Sequence, residues 1–582
     1  MTTPARHWSV FQGCPDREKE VRMLPERRTV GALLAHLAQT IPQQEAVVFP
    51  PQRLTYAVLY AQAMAVAGGL WRLGIRHGEP VALLVSNRPE WITTAFGCAL
   101  IGAPVVAIST WSRRVELEYV LDHSQAVALV TLDGFLGADY QALLTEIVPE
   151  VAQHPPGQLC ATRLPALREL IGLGQPALAA ARGFDEVLAL GRSLDAAVVR
   201  AASARVQPTD ILYVLYTSGS TARPKGVTLA HAGCLENGFN IGERQHLTRA
   251  DRLWLAVPLF WSFAAANALM ALITHGGTVV LQERFDPEEA VRLIAAERCT
   301  VYYGMSHMAQ AMLTTPAWRR ADTRSLRTGL TIGTPEEIAL TMHALGVREI
   351  CNVYGATETY GNATVTDAHE PGALRLHSQG KPLPGMQLRI VHPETRAVLP
   401  PGEVGEILVA GYVTPGYYRD PEHNARAFDA EGCFLTGDLG MLDAEGRLHF
   451  RGRLKDLIKS GGINISPLEV EAYLMTYPKV EYAAVVGLPD AAKGEVPVAA
   501  VELREGEAAT PEEIRDFCRD HIASYKIPVH VVFLRPDEFP RTSTGKVQKT
   551  GLCKVIAARL RSSSAPLTHR EGSGGVDLWE EE

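Results

Sequence analysis

The nine cysteines, Cys14, Cys98, Cys160, Cys234, Cys299, Cys351, Cys433, Cys518 and Cys553, are scattered, with no CxxC pair and no close Cys/His group. A disulfide framework or a structural zinc site needs tighter grouping. Scattered thiols suit a reducing compartment, so a cytoplasmic location is expected. A basic excess is also missing: 56 Lys and Arg stand against 64 Asp and Glu, for a net charge of -8. Polyanion-binding surfaces are usually basic, so no nucleic-acid partner is expected. The opening MTTPARHWSVFQGCPDREKE has no apolar core of signal-peptide length. No internal repeat of about 20–50 residues is visible. With 47% apolar and 21% charged residues the composition is that of a globular protein, which excludes collagen-like, coiled-coil or fully disordered chains. At 582 residues the chain is too long for one core and predicts three or four structural units.

What is present is an alternation of short apolar runs with Ala/Leu-rich stretches. AVVF (46–49), PVALLVS (80–86), PVVAIS (104–109) and AVALVTLD (126–133) predict strands, and residues 55–74 and 90–102 predict helices. The rhythm returns at 251–258, 277–282 and 300–305, which predicts parallel sheets covered on both faces. Two runs, Trp91 to Thr110 and Leu253 to Gln282, are long enough and apolar enough to suggest membrane spans. Gly97, Gly102 and Pro104 interrupt the first, and Pro258, Asn267, Gly276 and Gly277 the second, so each predicts helix, turn and buried strand instead, with no membrane span. Residues 150–205 are Ala-, Leu- and Arg-rich and predict helices with surface loops. From about 385, short strands separated by Gly and Pro predict a small β-rich subdomain, and about 456–560 predicts a small α+β domain. The polar, Gly/Ser-rich residues 562–582 predict a disordered tail.

The most distinctive local string follows the apolar run ILYVLY: Tyr216-Thr217-Ser218-Gly219-Ser220-Thr221-Ala222-Arg223-Pro224-Lys225-Gly226. Exposed amides, hydroxyls and an ammonium after a strand suit a polyphosphate. The spacing is not that of a Walker A loop. The string resembles the phosphate loop of the adenylate-forming superfamily, which includes acyl-CoA synthetases, free-standing adenylation domains and beetle luciferases; Ala222 stands where that family usually has Gly. Other motifs follow in family order. Tyr354-Gly355-Ala356-Thr357-Glu358 resembles YGxTE, which implies a Tyr ring on adenine, Thr357 on the α-phosphate and Glu358 holding Mg²⁺. Gly333-Thr334-Pro335 falls where the family places adenine-side backbone, and Asn352 lies within reach of the adenine amino group by the same resemblance. Alone, both are more often structural.

Leu435-Thr436-Gly437-Asp438 resembles the segment whose Asp accepts from ribose hydroxyls, although Thr-Gly-Asp alone reads as a turn. Arg453 and Lys455 match the ribose-bonding Arg and the hinge, and Ser460, Gly461 and Gly462 the backbone along which a pantetheine arm passes. Pro540-Arg541-Thr542-Ser543-Thr544-Gly545-Lys546 resembles the C-terminal motif whose lysine is catalytic. The resemblance covers about residues 30–555. It implies an α/β fold with a large N-terminal domain (1–454) of parallel-rich sheets flanked by helices plus the β-rich subdomain, then a small mobile α+β domain (455–561). It implies ATP, Mg²⁺ and CoA as cofactor and co-substrates. Carboxylate would attack the α-phosphorus while Lys225, Thr357, Glu358 and Lys546 stabilise charge, and a thiol would then take the acyl group.

Phe260, Trp261, Tyr303 and Gly304 fall where the family builds the acyl pocket, with Ala264 to Ala266 leaving room. No Asp stands where amino-acid-activating domains hold the substrate ammonium. The expected reaction is therefore ligation of a fatty or aromatic acid to CoA. A free-standing enzyme loading a carrier protein, one using an amine or nitrite as acceptor, and a nucleotide-binding module that has lost catalysis remain open alternatives, as do monomer and homodimer. As ordinary core residues the pocket aromatics are equally well accounted for.

Overall fold

The computed structural model describes residues 24–174, 177–217, 223–460, 463–490, 493–519, 521–542 and 546–563. The chain divides into two compact units, Met1–Arg389 with Leu408–Thr436 and Leu442–His449, and Ile390–Ile407 with Gly437–Met441 and Phe450–Glu582.

The larger unit holds two sheets. One has seven strands in the order Lys225–Ala230, Ile211–Thr217, Val105–Ala107, Val81–Leu84, Ala128–Leu132, Glu169–Leu173 and Ala181–Gly183. Only the first pair is antiparallel. Every residue of Val81–Leu84 and Ala128–Leu132 is buried, as strands covered on both faces must be. The other sheet has nine strands, in the order Lys381–Pro382, Thr364–Val365, Glu349–Tyr354, Thr328–Thr331, Val301–Tyr303, Arg252–Leu255, Thr278–Leu281, Glu45–Phe49 and Gln52–Thr55. Its centre is parallel and both edges are antiparallel. Asn87, just past the seven-stranded sheet, donates to the Val257 carbonyl (2.9 Å) and accepts from the Leu259 N–H (2.8 Å), so one buried amide fixes the chain leaving the nine-stranded sheet.

Both hydropathy ambiguities resolve as helix, turn and strand. Helix Pro89–Ile101 ends at Gly102, whose φ of 70° suits glycine, and strand Val105–Ala107 follows. Among the described residues no helix is long and apolar enough to cross a membrane. The helical expectation for 150–205 needs correction. Helices Phe184–Arg192 and Ala196–Ser203 form, but Glu169–Leu173 is a wholly buried strand paired with Ala128–Leu132. Ladder pairing overrides the helix propensity of its Leu residues. The small β-rich region contains strands Gln387–Val391, Gly405–Ala410, Phe434–Leu442 and Leu448–Arg453.

In the smaller unit, strands Ile463–Ile465, Ile458–Ser460, Gly494–Leu503 and Val480–Asp490 form a sheet, with His530–Phe533 parallel to Gly494–Leu503. Period-2 alternation divides its core. Ala483, Val485, Ala499 and Val501 join Val470, Leu474 and Ile514, whereas Ala484, Val486, Val498 and Ala500 join Leu552 and Ile556. Buried Glu471 accepts from the Val485 N–H and from Lys549 Nζ, both at 2.7 Å, tying helices Pro467–Leu474 and Lys549–Ser563 to one strand. That last helix takes in Ser562 and Ser563 of the expected tail, and the rest of the tail lies outside the described residues.

Candidate active site

In the larger unit the site grows from strand ends. Strands Ile211–Thr217 and Lys225–Ala230 bring Thr217 opposite Lys225 in register. Ser218, Gly219, Ser220, Thr221 and Ala222 between them lie outside the described residues. Lys225 Nζ stands 5.2 Å from the centre of the Tyr417 ring, an ammonium over a π face. The Tyr417 hydroxyl donates to Glu358 Oε1 at 2.9 Å. Burial, with the Glu358 carboxylate next in order, pushes the Tyr417 phenol far above its ordinary pKa, so it stays a donor at neutral pH. Asn424 fixes Tyr417 from the other side, accepting its N–H (2.6 Å) and donating to its carbonyl (2.9 Å).

Glu358 sits on the 3-10 turn Thr357–Thr359 that follows strand Glu349–Tyr354. Gly355 makes that turn possible: a Cβ there would lie 2.2 Å from the Gly361 carbonyl oxygen. Thr357 Oγ1 lies 3.0 Å from Ser262 Oγ. Ser262 starts the buried π-helical turn Phe263–Ala268, a helix variant frequent at functional sites. Lys225, Tyr417, Glu358, Thr357 and Ser262 thus form one continuous polar line. A partly exposed carboxylate beside a fixed phenol fits Mg²⁺, which takes one or two protein carboxylates and leaves its other positions to phosphates and water.

Other candidates have local structural duties. Thr334 caps helix Pro335–Ala339, with Glu337 Oε2 accepting the Thr334 N–H (2.8 Å), so Gly333-Thr334-Pro335 is a helix start. Asn352 is buried, donating to the Ser378 carbonyl and accepting from the Val353 N–H, both at 2.8 Å. Each end of its amide holds one of these bonds, and each keeps a second hydrogen-bonding position. Tyr354 is also buried at its strand end.

Phe260 and Trp261 meet a third aromatic absent from the sequence reading, Trp111. It is 38% exposed and lies edge-on to both, with ring centres at 5.2 and 5.4 Å. Tyr303 is fully buried, its hydroxyl accepting from Gln245 (2.8 Å) and donating to Asn267 (3.2 Å), which is a core role. Gly304 is buried next to it, where a Cβ would fall 2.4 Å from the Tyr302 hydroxyl.

In the smaller unit, Asp438 and Arg453 form an ion pair at 3.4 Å. Loss of water around the Lys546 ammonium and then the Arg453 guanidinium hold its pKa below the ordinary lysine value, and Asp438 pulls the other way. Thr542 and Lys546 exchange hydrogen bonds at 2.7 and 3.1 Å across their turn; Ser543, Thr544 and Gly545 lie outside the described residues. Lys455 lies on the 3-10 turn Leu454–Asp456, and buried Ser460 ends strand Ile458–Ser460. Gly461 and Gly462 lie outside the described residues.

A separate cluster, His246, Asp367 and His369, gathers ligand-type atoms within 4.8 Å of one another. Its imidazoles stack at 3.8 Å and 9°, so their in-plane lone pairs run side by side and do not converge on one ion.

Sequence reasoning missed Tyr417, Trp111 and Ser262. Tyr417 meets Glu358 across 59 residues, which no local motif reveals. An aromatic pair inside the Gly/Pro-rich string TPGYYRDP was the available signal.

Residues 34–418 match the family of AMP-binding enzymes and residues 469–546 match the AMP-binding enzyme C-terminal domain. A Bacillus subtilis protein that carries the name acyl-CoA synthetase is 35% identical over 543 residues, covering 92% of this chain and 98% of that one. The human mitochondrial medium-chain acyl-CoA ligase is 32% identical over 577 residues, covering 96% and 92%. The ATP-bound MatB structure from Rhodopseudomonas palustris superimposes with a TM-score of 0.77 at 26% identity, covering 91% and 99%. Motifs in order, fold and full-length relatives agree, and the chain belongs to the AMP-binding, adenylate-forming enzyme family.

Proposed function

We propose that this enzyme is an ATP- and Mg²⁺-dependent carboxylic acid–CoA ligase. It forms an acyl-adenylate with release of pyrophosphate, then an acyl-CoA thioester with release of AMP. The observation that carries the reading is the line Lys225–Tyr417–Glu358 beside Thr357: an ammonium, a fixed donor, a hard carboxylate and a neutral hydroxyl, the groups that a polyphosphate requires. Relatives named acyl-CoA synthetase and acyl-CoA ligase, aligned over nearly the whole chain, support CoA as acceptor.

In this reading the carboxylate attacks the α-phosphorus, anion against anion. Thr357 donates to the α-phosphate, Lys225 and Thr217 hold the departing pyrophosphate, and Lys546 neutralises charge as it develops. Mg²⁺ on Glu358 would supply Lewis-acid neutralisation of the phosphates. Asp438 and Arg453 take the ribose hydroxyls and Tyr354 the adenine face. Asn352, which also anchors its strand, takes the adenine amino group with an amide position left open by its internal bonds. The thiol arm then passes Ser460, Gly461 and Gly462. The acid is fatty or aromatic: Trp111, Phe260 and Trp261 give an uncharged aromatic wall, and Tyr303, beside Gly304, packs on Phe263 in the turn that follows. A cytoplasmic location belongs to the same proposal, supported by cysteines scattered along the sequence as suits a reducing compartment.

Pyrophosphate release over a panel of fatty and aromatic acids, with and without CoA, tests the reading. Acid-dependent release with a CoA thioester product is expected. Thioester formation only on a carrier protein would move the enzyme to the carrier-loading alternative, and an amide product to the amine alternative.

A further inference from the structure

Helix Arg114–Ser124 reaches the two strands that present Thr217 and Lys225, through two side chains one turn apart. Tyr119 donates its hydroxyl to the Pro224 carbonyl at 3.0 Å. His123 Nδ1 lies 2.8 Å from the Tyr216 hydroxyl. The positions i and i+4 place both side chains on one helix face, and their rings stack with centres at 5.4 Å.

Each contact falls one residue from a proposed phosphate-holding group. Pro224 has no N–H, so its carbonyl is the one backbone group that Pro224 itself offers for tying down the approach to Lys225. Tyr216 pairs with Gly226 across the ladder, and its ring lies over that glycine: a Cβ at Gly226 would meet the Tyr216 ring at 3.2 Å. Fixing the Tyr216 hydroxyl therefore presses an aromatic plate onto the strand beside Lys225. The Arg223 guanidinium stands 5.7 Å over the Tyr119 ring, and Tyr418 closes the group edge-on to His123. The Tyr418 N–H donates to the Gly226 carbonyl (2.7 Å), so the far side of the same strand is held too.

We infer that Tyr119 and His123 are positioning residues that aim Lys225 and Thr217 at the pyrophosphate half of ATP, acting through Pro224 and Tyr216. The inference rests on the ligase reading above. Neither residue touches the reacting atoms. Their effect belongs to adenylation alone, because pyrophosphate has left before the thiol attacks.

Tyr119→Phe keeps the ring and removes the donor, His123→Phe removes the partner of Tyr216, and His123→Gln keeps a hydrogen-bonding atom near it. The kcat/KM for ATP in acid-dependent ATP–pyrophosphate exchange should fall about 5- to 10-fold in Tyr119→Phe and His123→Phe, the scale of one hydrogen bond, with most of it regained in His123→Gln. Thioester formation from supplied acyl-adenylate and CoA should stay within about twofold. Calorimetric binding of inorganic pyrophosphate should weaken similarly, and Tyr119→Phe should have no further effect in a Lys225→Ala background. Wild-type kcat/KM for ATP in both variants, an equal fall in both half-reactions, or full additivity with Lys225→Ala overturns the inference. A wild-type enzyme without acid-dependent exchange overturns the ligase reading itself.

Discussion

Glu358→Gln preserves side-chain size and removes the charge. Adenylation measured as pyrophosphate release should fall by about two orders of magnitude, the scale of losing one electrostatic stabiliser, while ATP still binds. Near-normal release at limiting Mg²⁺ would take Glu358 out of the metal site. Another residue titrates outside that site. His231 is fully buried at the start of helix His231–Arg244, and its Nδ1 accepts the Val30 N–H at 3.3 Å. Burial, the leading cause, lowers its pKa from 6.5 to about 4. Above pH 6.5 neither the folded nor the unfolded chain protonates it. As pH falls from there to about 4, the unfolded chain takes up a proton that the folded chain refuses, so stability drops by roughly 3 kcal/mol in all. Thermal midpoints of wild type and His231→Gln at pH 7.5 and 5 test this. The variant should lose less on acidification; parallel losses would show that His231 does not carry the effect.

Elements were legible wherever burial imposed one period. Val81–Leu84 and Ala128–Leu132 read as buried strands because both faces are covered, and the helix expected over 55–74 forms as Tyr56–Arg72. Glu169–Leu173 was hidden because its Leu-rich string suits either element and only the ladder partner decides. The phosphate loop, the YGATE turn and the lysine turn were legible as strings. Tyr417 and Trp111 were not, because their roles arise where segments distant in sequence meet. Asn352 shows both levels at once: its place beside a motif drew a ligand role, whereas its bonds to the Ser378 carbonyl and the Val353 N–H emerge only in the fold. The π-helical turn Phe263–Ala268, wholly buried, anchors the chain that carries Trp261 and Ser262. Trp261→Ala should therefore enlarge the proposed acyl pocket without unseating Ser262. Selectivity should shift towards bulkier acids, each methylene being worth roughly 1–3 kcal/mol. An unchanged ranking of acids with lowered stability would assign Trp261 to the core.

At the scale of the whole molecule the two half-reactions make opposing demands. In the proposed reaction Lys546 would serve while carboxylate meets ATP, and its ammonium would be of no use to a thiol attacking a neutral carbonyl carbon of the adenylate. A chain that presents Lys546 for one step and withdraws it for the next would satisfy both, and the turn Leu454–Asp456, between strands Leu448–Arg453 and Ile458–Ser460, is the pivot we propose for it. Lys546→Ala should abolish adenylate formation yet still convert supplied acyl-adenylate and CoA to thioester. Lys455→Pro fixes φ at that turn and should hold the enzyme in its adenylating arrangement. Acyl-adenylate would still form, and thioester formation would collapse. Single-turnover kinetics of each half-reaction in each variant decide the matter. Proportional loss of both steps in both variants, with thermal stability retained, would mean that one fixed arrangement serves both reactions and that Lys455 is no pivot.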